Sequence, residues 1–135
     1  MERLEIDAKV ENLQEVTDFV EANLEKADCP MKTQMQIVVA VEEIFVNIAS
    51  YAYEGKVGRA CVVFEYFEND NYVDITFEDT GIPYNPLEKE DPDITLSAEQ
   101  RAIGGLGIYM VKKSMDDMRY RYEDGKNILT IEKKL

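Results

Sequence analysis

Histidine is absent from these 135 residues, and that absence removes a great deal of chemistry. It rules out a Ser-His-Asp triad, a histidine-ligated metal and a histidine that carries a phosphoryl group. Cysteine is scarce. Cys29 and Cys61 stand apart with no CxxC spacing, which argues against structural zinc and for two reduced thiols in a cytoplasmic protein. Long apolar runs are missing as well: no stretch of about eighteen apolar residues occurs. The N-terminus MERLEID is charged, so neither a membrane span nor a signal peptide is expected. Basic residues are outnumbered, 15 against 28 acidic, for a net charge of −13. This balance disfavours a nucleic-acid or anionic-membrane surface and leaves room for a basic protein partner.

What remains is a folded globular composition, 45% hydrophobic, at a length that suits one domain over residues 1–135. No repeat, linker or low-complexity segment interrupts it. RLEIDAKV (3–10) alternates like an edge strand. Asn12 and Glu15 have capping-box spacing, and Leu13, Val16, Phe19, Val20 and Leu24 then recur at helical spacing until Cys29-Pro30. Thr33 and Gln36 repeat the capping spacing and predict a second helix from about 33 to Tyr53, stopped by Glu54-Gly55. The period then changes to two. Residues 59–68 and 72–78 read as strands joined through Asn69-Asp70-Asn71, and 118–123 and 127–133 as a hairpin around Asp124-Gly125. Between the hairpins lie a long loop, 80–104, with three of the four prolines, and a helix from near Gly105 to Ser114. Ser97 and Gln100 could cap one turn inside the loop. The order predicts an α/β (α+β) two-layer sandwich: a mixed, mostly antiparallel sheet with helices on one face. A structureless loop of that length in a small domain is expected to be a lid, a binding loop or disordered.

Three clusters carry possible chemistry. The segment VEEIFVNIASYAYEG (41–55) is apolar but admits Glu42, Glu43 and Asn47. Glu43 and Asn47, four apart, share a helical face beside the core stripe, whereas Glu42 points about 100° away. They are either a solvated rim or a metal–phosphate site, with the Asn47 carbonyl on Mg2+ and Glu43 as base. Asp79 shares strand parity with Val73, Ile75 and Phe77, so it faces the buried layer. It either caps the Thr80-Gly81 turn or accepts from a ligand amine such as that of adenine, with Gly81 letting backbone approach a flat base. GGLG (104–107) is either a tight turn into a helix or a phosphate-holding helix start. It does not directly follow a strand and no GKS or GKT occurs, which argues against a dinucleotide fingerprint and a P-loop.

In this order the three clusters, E-x-x-x-N, D-x-G and G-x-G, resemble the N, G1 and G2 boxes of the ATP-binding superfamily of DNA gyrase, histidine kinases and mismatch-repair ATPases. The short chain and GGLGIYMVKKSMDDMRYRYEDGKNILTI resemble its stand-alone anti-sigma factor serine kinases. The resemblance implies a histidine-kinase-like ATPase fold, and ATP and Mg2+ as cofactors. It implies Asn47 as metal ligand, Glu43 as general base, Asp79 and Gly81 at adenine, and Gly105 and Gly107 at the phosphates. It also implies an ATP lid over about 84–104, in which Arg101 or Lys89 offsets Glu88, Glu90, Asp91, Asp93 and Glu99. The implied partners are an anti-anti-sigma substrate phosphorylated on serine, a sigma factor and, as a homodimer, a second copy. Where many superfamily members carry a threonine after a glycine, this chain has Gly125-Lys126-Asn127, so no role transfers to Asn127 or Thr130. A nucleotide-gated binding module and a slow ATPase are the alternatives to the kinase.

Overall fold

The structure, a computed structural model, describes residues 1–88 and 105–135; Ser97, Gln100, Arg101, Lys89 and most of the expected lid lie outside these. In chain order the elements are β1 (Glu2–Asp7), α1 (Leu13–Lys26), α2 (Met31–Asn47), β2 (Arg59–Phe67), β3 (Tyr72–Asp79), α3 (Gly105–Ser114), β4 (Asp117–Glu123) and β5 (Lys126–Lys134). The strands form one sheet in the order β1-β2-β3-β5-β4. Every pairing in it is antiparallel, so the mixed component of the expectation is corrected.

Alternation does the sorting. Along β3, Val73, Ile75, Phe77 and Asp79 are buried while the intervening residues are half-buried, and register places Ile75 opposite Ile131 and Phe77 opposite Leu129. Helices cover this face. Val16, Val20 and Leu24 of α1 and Ile37, Val41, Ile44 and Phe45 of α2 are enclosed in the same core, each worth about 1.5–3 kcal/mol of apolar transfer. By length and composition Met31–Ala52 is apolar enough to cross a membrane, with a mean hydropathy of 1.4. Its buried stripe is the centre of this core, and Met31, Met35 and Val39 are among its exposed apolar residues.

The other sheet face is polar. Thr76 and Thr130 hydroxyls meet at 2.9 Å, and Arg119 binds Asp74, Asp117 and Glu132. Burial pushes the Asp74 carboxyl up against the opposing pull of Arg119, and its Oδ1 has no partner among the described residues. Both cysteines are free thiols, and burial pushes each of them up, the inert condition expected of packed thiols.

Local differences from expectation have physical causes. β1 stops at Asp7, and a 3-10 turn over Val10–Asn12 leads into α1. Asn12 makes no side-chain cap; its amide donates to the Asp7 carbonyl at 2.9 Å. The second capping box is absent too. Pro30, with φ −58, is the N-cap of α2, so the helix opens at Met31 and Thr33 falls inside its first turn. Residues 80–88 contain one further turn, a 3-10 segment at Pro86–Glu88. The turn residues behave as read: Glu54 and Gly55, Asn71, and Asp124 and Gly125 all have positive φ, the backbone needed to stop a helix or close a right-twisted hairpin.

Candidate nucleotide site

β3 delivers Asp79 to the core face at its last residue, where the carboxylate is only 7% exposed. A buried carboxylate needs donors. Asp79 Oδ1 accepts from the Gly81 N–H at 2.9 Å and from Asn127 Nδ2 at 2.9 Å. The turn-capping alternative therefore describes one oxygen; among the described residues Oδ2 has no donor. Burial raises the carboxyl above its ordinary range, and the Asn127 and Gly81 hydrogen bonds oppose that rise.

The helix that carries Glu43 and Asn47 does not end as an ordinary α-helix. After Asn47 the chain makes a π-turn, Ile48–Ala52, a feature that concentrates at functional sites. The turn projects the Ala52 carbonyl toward the loop after β3, where the Ile82 N–H donates to it at 2.9 Å. Gly81 lies flat against this carbonyl: a Cβ there would overlap the Ala52 backbone. The close approach that demands glycine is thus to protein backbone. Tyr53 completes the joint. Its hydroxyl accepts from the Thr80 N–H at 2.9 Å and donates to the Arg59 carbonyl, and a Cβ on Gly58 would overlap its ring.

These elements enclose a cavity of about 430 Å³, within the size range of small-ligand sites. Ile44 and Asn47 of α2 and Ile48 and Tyr51 of the π-turn form one wall. Phe77, Asp79, Leu129 and Asn127 form its sheet floor, Tyr120 of β4 joins them, and Ile82, Tyr84 and Pro86 close the loop side. The first turn of α3 enters through Ile108. Glu43 is outside the lining, one turn before Asn47, and its carboxylate lies against Gly107, where a Cβ would overlap it. Thus Asn47 and Asp79 border one cavity, Gly81 flanks it, and Glu43 meets Gly107 at the α2–α3 contact. Gly105 is the first residue of α3. Arg101 lies outside the described residues.

Three residues escaped sequence reasoning. Asn127 shares strand parity with Leu129 and Ile131, so the parity rule that selects Asp79 selects it too. Tyr120 follows from the hairpin register, which sets it opposite Leu129. Tyr53 had no sequence signal beyond its place before the helix stop.

The family model described as "Histidine kinase-like ATPase domain" matches residues 6–133. The chain belongs to this family. Serine-protein kinase RsbW of Bacillus thuringiensis (strain Al Hakam) is 32% identical over 95 residues, 67% of this chain and 58% of that protein. The RsbW of Bacillus cereus (strain AH187) is 30% identical over the same length and shares. The chain therefore spans a little over half the length of the curated relatives it matches. A crystal structure of the RsbU and RsbW domains of Rv1364c from Mycobacterium tuberculosis aligns with a TM-score of 0.65 and 17% identity, over 100% of this chain and 33% of that one. That is a likeness of fold, and the fold is the one the sequence boxes imply.

Proposed function

We propose that this chain is a cytoplasmic ATP- and Mg2+-dependent serine/threonine protein kinase. In this reading residues 1–135 are one nucleotide-binding domain with its lid at about 84–104. It acts as an anti-sigma regulatory factor that phosphorylates an anti-anti-sigma partner and also holds a sigma factor. The observation that carries the reading is Asp79, a buried carboxylate with one oxygen committed to the fold and the other without a donor among the described residues, at the floor of a cavity walled by Asn47. Family membership and relatives named as serine-protein kinases support the same reading.

Asp79 Oδ2 would accept the adenine amine, with Gly81 and Ile82 holding the loop beside the base. Gly105 and Gly107, in the first turn of α3, would turn helix N–H groups and the positive end of its dipole to the phosphates. Among the described residues no three acidic or thiol side chains cluster to grip a metal. Mg2+ keeps several waters and takes its other ligands largely from phosphate, so the single Asn47 carbonyl oxygen at the cavity wall suits it. When bound, Mg2+ supplies positive charge against the triphosphate. Glu43 takes the proton of a partner serine hydroxyl; the Oγ–P bond forms as the bond to the ADP oxygen breaks, and ADP departs. Arg101 would face the phosphates from the lid.

The test is incubation with γ-labelled ATP, Mg2+ and lysate of the source organism, for wild type and Glu43→Gln. Label on the serine of a small protein, with wild type only, is expected. ATP binding with neither labelled protein nor free phosphate would establish a binding module, and free phosphate alone an ATPase.

A further inference from the structure

Asn127 faces Asp79 directly in the β3–β5 register and is only 7% exposed. Both the donor and the acceptor end of its amide are fully used. Nδ2 donates to Asp79 Oδ1 at 2.9 Å and to the Ile82 carbonyl at 2.9 Å. Oδ1 accepts from the Tyr84 N–H at 3.1 Å and from the Tyr120 hydroxyl at 2.5 Å. This set fixes the orientation of the amide, because a flip would aim N–H at N–H and carbonyl oxygen at carboxylate. One side chain thus holds the acid at the cavity floor and both ends of the loop segment Ile82–Tyr84, whose end residues line the same cavity.

We propose that Asn127 is the positioning residue that sets which base edge the cavity accepts. Asp79 Oδ1 takes two N–H donors, from Gly81 and Asn127, so it remains an acceptor and any proton on the acid must sit on Oδ2. With Oδ2 unprotonated, Asp79 offers an acceptor that pairs with an exocyclic amine and rejects a ring carbonyl at that position. Without the Asn127 donor, Oδ1 is underpaired, the carboxyl is free to rotate, and Ile82 and Tyr84 lose their shared tether. The inference rests on reading the cavity as an adenine-nucleotide site. Among the described residues the titratable groups around the pair are Tyr120 on β4, on which Tyr122 and Glu88 act, and Tyr51 and Tyr84 in the cavity lining; none of the described charged side chains contributes to the rise of the Asp79 carboxyl.

The experiment measures Kd for ATP and for inosine triphosphate, which replaces the amine by a carbonyl, using the full chain with Mg2+. Wild type is expected to prefer ATP by at least roughly 30-fold. Asn127→Leu, close in size, should cut that preference below roughly 5-fold, mainly by weakening ATP. Asn127→Asp keeps the acceptor for Tyr84 and Tyr120 but sets two carboxylates side by side, where they share one proton. The ATP affinity of this variant should rise on acidification, as the introduced carboxyl gains a proton to donate, whereas acidification changes that of wild type in the opposite sense, because a proton on Oδ2 removes the acceptor. Circular dichroism confirms folding, and the Asp variant serves if Leu does not fold. Folded variants that keep the wild-type preference and pH profile overturn the inference alone. Wild type that binds both nucleotides equally, or neither, overturns the reading of the cavity and the inference with it.

Discussion

Replacing Gly81 with alanine tests whether this glycine serves the fold before it serves any ligand. A Cβ at Gly81 would overlap the carbonyl oxygen, carbonyl carbon and Cβ of Ala52. The colliding atoms are largely backbone, in a π-turn whose carbonyl already accepts the Ile82 N–H at 2.9 Å, so no rotamer change relieves the overlap. Overpacking of this kind costs about 1–3 kcal/mol, and losing or stretching the Ile82 bond adds about 0.5–1.5 kcal/mol. For a domain of this size, about 2–4 kcal/mol lowers the midpoint of thermal unfolding by roughly 6–20 °C. Gly125→Ala is the control: its φ is +76 but a Cβ there meets nothing within 4 Å, so only the left-handed backbone penalty of about 1 kcal/mol applies. The assay is thermal unfolding by circular dichroism without nucleotide. A Gly81→Ala midpoint within about 2 °C of wild type, or above that of Gly125→Ala, refutes the packing argument.

Other perturbations separate the proposed roles. Asn47→Ala should weaken ATP binding by roughly tenfold with Mg2+ and little in chelator, measured calorimetrically; equal losses in both would remove Asn47 from the metal. Gly107→Ala pushes its Cβ against the Glu43 carboxylate, the far end of a side chain that can swing away. Stability should change by less than about 1 kcal/mol while phosphoryl transfer falls roughly 10²-fold or more, and unchanged transfer would separate Glu43 from the chemistry. The buried Asp79 carboxyl is raised in the fold, so its contribution to stability is full below the ordinary carboxylate range and is lost as pH rises through its folded value. Asp79→Asn should therefore be more stable than wild type at neutral pH and show a shallower fall of stability with pH, read from denaturant melts. Asp74, raised in the same direction, keeps some of that slope. The same variant should lose ATP affinity by roughly 30-fold or more, and a variant with intact affinity would take Asp79 out of base recognition.

The parts legible in sequence were those set by period and turn chemistry. Strand parity put Asp79 on the core face, and Asp124-Gly125 closed the last hairpin with both residues at positive φ. Four-residue spacing put Glu43 and Asn47 on one side of α2. What sequence missed depends on how backbones meet. Capping patterns failed at Asn12 and Thr33 because a 3-10 turn and Pro30 set the helix starts first. No hydrophobic period encodes a π-turn, so the Ala52 carbonyl that dictates Gly81 was invisible. The contact of Glu43 with Gly107 exists only once α2 and α3 pack together. Asn127 was within reach of the parity rule, but nothing in the chain states that its amide would join Asp79, Ile82, Tyr84 and Tyr120.

The most direct test is an amide NMR titration of the 15N-labelled chain with ADP and Mg2+. The account predicts saturable shifts at Gly81, Ile82, Gly107 and the Asn127 side-chain amide, with Arg119 and Thr130 on the open sheet face unmoved. Shifts confined to the open face, or none at saturating nucleotide, would contradict it.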